Sequence, residues 1–327
     1  MRPSAVVAGG AGFIGYHMVR RLLAEGFHVH IVDNFATGSH QNASSLLVED
    51  RCDLLAADIC HRIDLPGPIE YVINLASPAS PVDFERIPID IMAANSLGVR
   101  NLLDLALHKG AVFLQSSTSE VYGDPEVHPQ REDYTGNVNM IGPRSVYDEG
   151  KRFAEAMSFA YLRKYRVPTR IARIFNTYGP NMRSDDGRVI PNFCMQALSG
   201  QPLTVYGDVC RTRSFCYVDD LVEGLFRLML SEHTAPVNLG NPLEVSIVQV
   251  AQMTIALAGS PSSVTTVPLL HADDPRRRRP DIARAREWLN WEPKTDLETG
   301  LRYTLDYFRS YSDPAPQDRQ RKGEGSP

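Results

Sequence analysis

The chain has 327 residues, 43% hydrophobic and 22% charged, the balance of an ordinary globular protein and enough for one large or two intimately packed domains. A formal net charge of −5 gives no ground for a polyanionic partner such as nucleic acid, and no apolar run approaches the ~20 residues of a membrane span. Five cysteines (Cys52, Cys60, Cys194, Cys210, Cys216) are an odd number with no C-x-x-C pair, which argues against a disulfide framework or a bound metal and for reduced thiols.

The N-terminus reaches an apolar strand within four residues, leaving no room for a signal peptide, so a cytoplasmic protein is expected. That strand, Ala5-Val6-Val7-Ala8, runs into Gly9-Gly10-Ala11-Gly12-Phe13-Ile14-Gly15, with glycines at 9, 12 and 15. Ile14, Met18, Val19, Leu22 and Leu23 then recur at helical spacing. A strand, a Gly-rich turn and a helix form a dinucleotide fingerprint: glycine lets the backbone approach a pyrophosphate at the positive end of the new helix. Asp33 closes the second strand, Val29–Val32. A carboxylate there accepts from ribose hydroxyls and repels a 2′-phosphate, which favours NAD over NADP; Asn34 follows it, and no Arg does.

Further strands are read at 54–59, with Asp58 and Ile59 placed to meet the adenine, and at Tyr71-Val72-Ile73-Asn74-Leu75-Ala76, leading to Ser77-Pro78-Ala79-Ser80-Pro81. A helix follows over 88–108, bearing Asn95, and a strand over 111–115 ends in the serine cluster Ser116-Ser117-Thr118-Ser119-Glu120. The helix at about 147–165 opens with Tyr147-Asp148-Glu149-Gly150-Lys151, and a sixth strand covers 169–174. Repeated βα units of this length predict a doubly wound parallel sheet, an α/β fold with ligands at the carboxyl ends of its strands. The Y-x-x-x-K spacing puts phenol and amine on one helix face, about a turn apart. An ammonium there would lower a phenol from its ordinary value of about 10, giving a base for a substrate hydroxyl. An ordinary amphipathic helix would show the same pair; the fingerprint upstream favours the catalytic reading.

Beyond residue 174 the elements shorten: a helix near 191–199, a strand Leu203-Thr204-Val205-Tyr206, and a return to the sheet around 219–240. The division expected is a Rossmann domain from 1–175 plus 215–240, and a smaller interleaved substrate domain from 176–214 plus 241–312. Residues 313–327, Pro-, Gln-, Arg- and Gly-rich, are expected to be a disordered tail.

The fingerprint, Leu75–Pro81, Thr118–Pro125, Tyr147–Arg152, Arg173–Pro180 and Asp273-Asp274-Pro275 with its arginines together resemble the extended short-chain dehydrogenase/reductase family, over roughly residues 4–310. Within it the resemblance is to the UDP-glucuronate decarboxylases. Related 4,6-dehydratases carry Thr-Asp-Glu where this chain has Thr118-Ser119-Glu120, and typical 4-epimerases lack the Glu. The resemblance implies NAD and UDP-glucuronate. Tyr147, assisted by Lys151 and Thr118, would take the C4 hydroxyl proton as hydride leaves C4. Carbon dioxide would leave the resulting β-keto acid, and reduction would return UDP-xylose. It further implies that Ser119, Glu120 and one arginine of 276–279 surround C5 and the carboxylate, Arg278 before its rival Arg277. Asn176, Arg188, Val189, Leu203, Val205, Tyr206 and Arg213 match UDP-binding positions, Arg213 being the best diphosphate partner. Val205 and Tyr206 are equally readable as core strand residues. Tyr16, where a small residue is usual, would alter the pocket near the pyrophosphate, and Val99 replaces a Thr. Family members pair through two helices per subunit, here 90–108 and 147–165, so a homodimer through a four-helix bundle is implied. Phe153, Met157 and Tyr161 lie either on that face or in the core. The alternatives are release of UDP-4-keto-xylose as a major product, a UDP-glucuronate 4-epimerase, and a catalytically silent NAD-binding scaffold.

Overall fold

A computed structural model of the chain describes residues 2–208, 210–269, 275 and 277–311. The tail at 313–327, Asp273, Asp274 and Arg276 lie outside the described residues. Strands and helices alternate through the first half: β1 (Ser4–Ala8), α1 (Phe13–Ala24), β2 (His28–Asp33), α2 (His40–Leu46), β3 (Cys52–Ala56), β4 (Tyr71–Asn74), α3 (Pro81–Arg86), α4 (Pro88–Ala93), α5 (Val99–Lys109) and β5 (Val112–Thr118). The long α6 (Ser145–Tyr165) and β6 (Thr169–Ile174) complete this part. Shorter elements follow: β7 (Thr177–Tyr178), α7 (Val189–Leu198), β8 (Leu203–Tyr206), β9 (Thr212–Ser214), β10 (Cys216–Tyr217), α8 (Val218–Leu230) and β11 (Val237–Leu239). The chain then adds β12 (Glu244–Ser246), α9 (Ile247–Ala258), β13 (Val264–Val267), α10 (Ala283–Leu289) and α11 (Leu297–Tyr311).

Seven strands form one parallel sheet in the order β11-β6-β5-β4-β1-β2-β3, the doubly wound arrangement anticipated from the βα repeats. A parallel sheet needs helical crossovers, and these cover both faces. Every residue of β1 is buried accordingly, with Ala5 and Val7 in one apolar cluster and Val6 and Ala8 in the other. Strand order reverses between β1 and β4. The crevice at that switch point receives the turn after β1, the segment after β4 and the end of β5, which is why residues distant in sequence meet there.

Several boundaries differ from those read in the sequence. Residues 57–59 leave the third strand because Asp58 Oδ1 accepts from the Cys60 amide at 2.8 Å, a local turn that competes with the ladder. Asn74 ends the fourth in the same way, its Oδ1 accepting from the Ala76 amide at 3.1 Å. The helix at 88–108 runs through with one π-type turn, Ala94–Gly98, between α4 and α5. Asn95 sits in it and donates from Nδ2 to Ser77 Oγ at 2.9 Å, tying this helix to the cavity wall. Val99 is fully buried in the core.

Candidate active site

A cavity of about 650 Å³ runs from the Gly-rich turn, past Thr118 and Tyr147, to Arg213 and Arg278. At its first end the backbone is packed too closely for side chains. A Cβ on Gly15 would overlap the Gly9 carbonyl oxygen, and one on Gly9, at φ +79°, would stand 2.8 Å from the Ala76 backbone. Gly12 caps α1 with no side-chain hydrogen bond, and the first turn has no acid, so the helix presents amides and positive potential to the cavity. That is a cradle for a pyrophosphate. Asp33 Oδ2 accepts from the Ala11 amide at 3.0 Å and Oδ1 from Phe35 at 2.8 Å. Each oxygen keeps a lone pair for a ribose hydroxyl, although burial raises the carboxyl above its ordinary value. Asn34 donates to Asp58 Oδ2 at 2.9 Å, closing the rim, and Phe13, Ile14, Ile59, Leu75, Ala76 and Ser77 line the walls. The residues present therefore fit a dinucleotide. The Tyr16 ring packs edge-on against His17, outside the cavity lining.

Further in, β5 delivers Thr118 and α6 delivers Tyr147 to the lining of the same cavity. Phe84 stacks on the phenol ring with centroids 5.1 Å apart. Burial pushes the Tyr147 phenol up, Thr118 draws it down, Glu120 adds to the rise and Arg188 opposes it. The amine of Lys151 stands 5.7 Å from the Tyr147 ring centroid and donates to the Ser116 carbonyl at 3.0 Å. Buried itself, it is lowered to about 7, so the solvation cost that opposes a phenolate also opposes the ammonium meant to induce it.

The third group is a charge cluster. Glu120 Oε2 accepts from Arg144 Nη2 at 2.6 Å and from Arg278 Nη2 at 3.0 Å, while Arg278 Nη1 donates to the Ser119 carbonyl at 2.8 Å. Burial alone would raise Glu120, but Arg278 and Arg144 outweigh it and hold the carboxyl at about 2. Of the arginine run, Arg278 is 1% exposed and Arg277 faces outward. The cause is an extended segment pinned by Gln130: its backbone N–H donates to the Arg279 carbonyl, and its carbonyl accepts from the Asp281 amide, both at 2.8 Å. Alternation along that segment turns residue 278 inward. Arg144 was not singled out in the sequence. Its signal was its place three residues before Tyr147, at the N-cap of α6.

At the far end, Asn176, Arg188, Val189, Tyr206 and Arg213 line the cavity. Arg188 is locked to Asp186, Nη2 to Oδ2 at 2.8 Å, and Arg213 Nη2 donates to the Pro275 carbonyl at 2.7 Å. Leu203 and Val205 are a correction. Alternation along β8 sends both side chains into the hydrophobic core and leaves Thr204 and Tyr206 on the cavity side.

Residues 5–240 match the model of the NAD dependent epimerase/dehydratase family. UDP-glucuronic acid decarboxylase 1 of Xenopus tropicalis is 48% identical over 308 residues, 94% of this chain and 72% of the relative. A namesake from Arabidopsis thaliana is 48% identical over 93% of this chain and 69% of its own length. Among solved structures, a UDP-glucuronic acid 4-epimerase from Bacillus cereus in complex with UDP-glucuronic acid and NAD superposes with a TM-score of 0.84 at 25% identity, covering 94% of this chain and 99% of that one. A UDP-glucose 4-epimerase from Thermotoga maritima with UDP-glucose gives 0.85 at 28% identity, over 95% and 100%. The chain belongs to the NAD dependent epimerase/dehydratase family, in the group of the UDP-glucuronic acid decarboxylases.

Proposed function

We propose that this protein decarboxylates UDP-glucuronate to UDP-xylose with NAD as a recycled cofactor. The observation that carries the reading is the joining of Thr118 and Tyr147 to the Glu120–Arg144–Arg278 cluster at one end of a dinucleotide cavity. Two guanidiniums converge on one carboxylate at this end of the cavity, donors of the kind that hold a sugar acid. Ser119 offers no carboxyl, so the acid that a dehydratase would direct at C6 is missing.

NAD, held by the Gly9–Gly15 turn and Asp33, would supply a reversible hydride acceptor for C4. Tyr147 Oη takes the C4 hydroxyl proton, with the Thr118 hydroxyl donating to the phenolate. Loss of CO₂ from the β-keto acid leaves an enolate, to which Tyr147 and Thr118 now donate. Glu120, held ionised, serves as a fixed anion that orients Arg144 and Arg278. Asn176, Arg188, Val189, Tyr206 and Arg213 hold the UDP moiety, with Arg213 at the diphosphate. Incubation with UDP-glucuronate and NAD⁺ is expected to release CO₂, and Tyr147→Phe to lower kcat by about 10²–10⁴-fold. Epimerised UDP-sugar acid without CO₂ would overturn the reading.

The finer assignments rest on separate features. A homodimer through α4, α5 and α6 is favoured by Ile89, Met92, Leu97 and Phe153, all exposed; Met157 and Tyr161 instead pack against the core. Sedimentation velocity reads this directly. Five free cysteines suit a reducing compartment such as the cytoplasm, and no helix among the described residues is long and apolar enough to cross a membrane.

A further inference from the structure

A second cluster lies away from the cavity. His28 and His30 stand two residues apart on β2, so both side chains leave the same face of the sheet. On the neighbouring edge strand, Asp53 is the register partner of His30 and divides its carboxylate between the two rings. Oδ1 lies 2.9 Å from His30 Nδ1, and Oδ2 lies 2.9 Å from His28 Nε2. One ring nitrogen from each histidine and a carboxylate oxygen fall within 4.8 Å of one another. Burial opposes ionisation of Asp53, but the hydrogen bonds from His28 and His30 prevail and hold it below the usual carboxylate range. Ser4, the register partner of His28 on β1, shares this face, and its buried Oγ has no hydrogen-bond partner among the described residues.

We infer that His28, His30 and Asp53 form a binding site for a divalent transition ion of the zinc type. Two imidazoles and a carboxylate are the donor set of zinc, cobalt and nickel, whereas calcium and magnesium take oxygen donors. Tetrahedral Zn²⁺ with bonds of about 2.0–2.1 Å sets its donors roughly 3.3 Å apart, within the span the three side chains already occupy. The strand ladder fixes the backbones, so small torsional changes complete the set. A metal-bound water would give Ser4 Oγ its missing partner. His28 opens β2 and Asp33 closes it, roughly 16 Å away at ~3.3 Å per residue. The ion therefore sits at the strand end remote from the dinucleotide cradle, and turnover does not depend on it.

Calorimetric titration of the full chain with Zn²⁺ is expected to show one ion bound per chain. His28→Gln and Asp53→Asn should each weaken it by about tenfold or more, the ~1.4 kcal/mol step, with decarboxylation unchanged. A wild-type protein that binds no ion, or variants that bind as tightly as wild type, would overturn the proposal. A measurement on the unaltered protein removes any question of folding. In long-range ¹H–¹⁵N spectra, Zn²⁺ should shift His28 Nε2 and His30 Nδ1; shifts confined to other histidines, or none, also overturn it.

Discussion

Glu120→Gln keeps the shape of the side chain and removes a negative charge that both Arg144 and Arg278 contact. Against the burial that would raise it, those two guanidiniums bring the carboxyl from an ordinary 4.5 to about 2. At 1.36 kcal/mol per unit, the preference for the ionised form is about 3 kcal/mol. Stranding the charge of Arg278, 1% exposed, belongs to the class of buried-pair losses that cost about 3–5 kcal/mol. Urea unfolding at pH 7 should therefore show the variant less stable by about 3 kcal/mol. The sign of the pH dependence follows from the depressed value. The contribution is full above about pH 4.5 and is lost as pH falls towards 2, so the gap between wild type and variant must narrow on acidification. Decarboxylation should fall with it, since Arg144 and Arg278 lose the anion that aligns them. A variant as stable as wild type at pH 7, with a near-normal rate of CO₂ release, would refute the reasoning.

Two further substitutions separate stability from function. Lys151 is lowered by burial from 10.5 to about 7, so the folded protein pays for a buried ammonium below about pH 7, and that cost fades as pH rises towards 10.5. Lys151→Met should accordingly stabilise the fold at pH 6 by several kcal/mol, less about 1 kcal/mol for the lost bond to Ser116. Equal urea midpoints for the two proteins at pH 6 would contradict this. Gly15→Ala sets a methyl group against the Gly9 carbonyl, an overpacking of about 1–3 kcal/mol or more, and should weaken NAD binding measured by fluorescence titration.

Much of the architecture was legible because it rests on short-range rules. The glycines at 9, 12 and 15, the hydrophobic strands and the acid at 33 together mark one βαβ unit, and the structure closes the sheet around it. What escaped depended on tertiary solvation or on fine register. Nothing local tells whether a lysine four residues from a tyrosine reaches the phenol or a neighbouring carbonyl; packing of α6 on β5 decides, and Lys151 turns to Ser116. Leu203 and Val205 turn into the core because β8 alternates, which for Val205 is the core alternative its strand also allowed and which a motif match does not register. Arg144 was passed over because its partner Glu120 is 24 residues away, across a loop with no periodic pattern. The π-type turn at 94–98 shows the same limit: a helical period identifies a helix and does not report one extra residue in a turn.

The central claim is an oxidation at C4 that permits loss of the C6 carboxyl and then returns the same hydride. Proton and deuterium NMR of UDP-glucuronate turned over with NAD⁺ in D₂O tests it directly. The geometry of Tyr147, Thr118 and the Glu120 cluster predicts UDP-xylose carrying deuterium at C5 and protium at C4, with CO₂ released in equal amount. A C4-epimerised UDP-sugar acid that retains its carboxylate would contradict it.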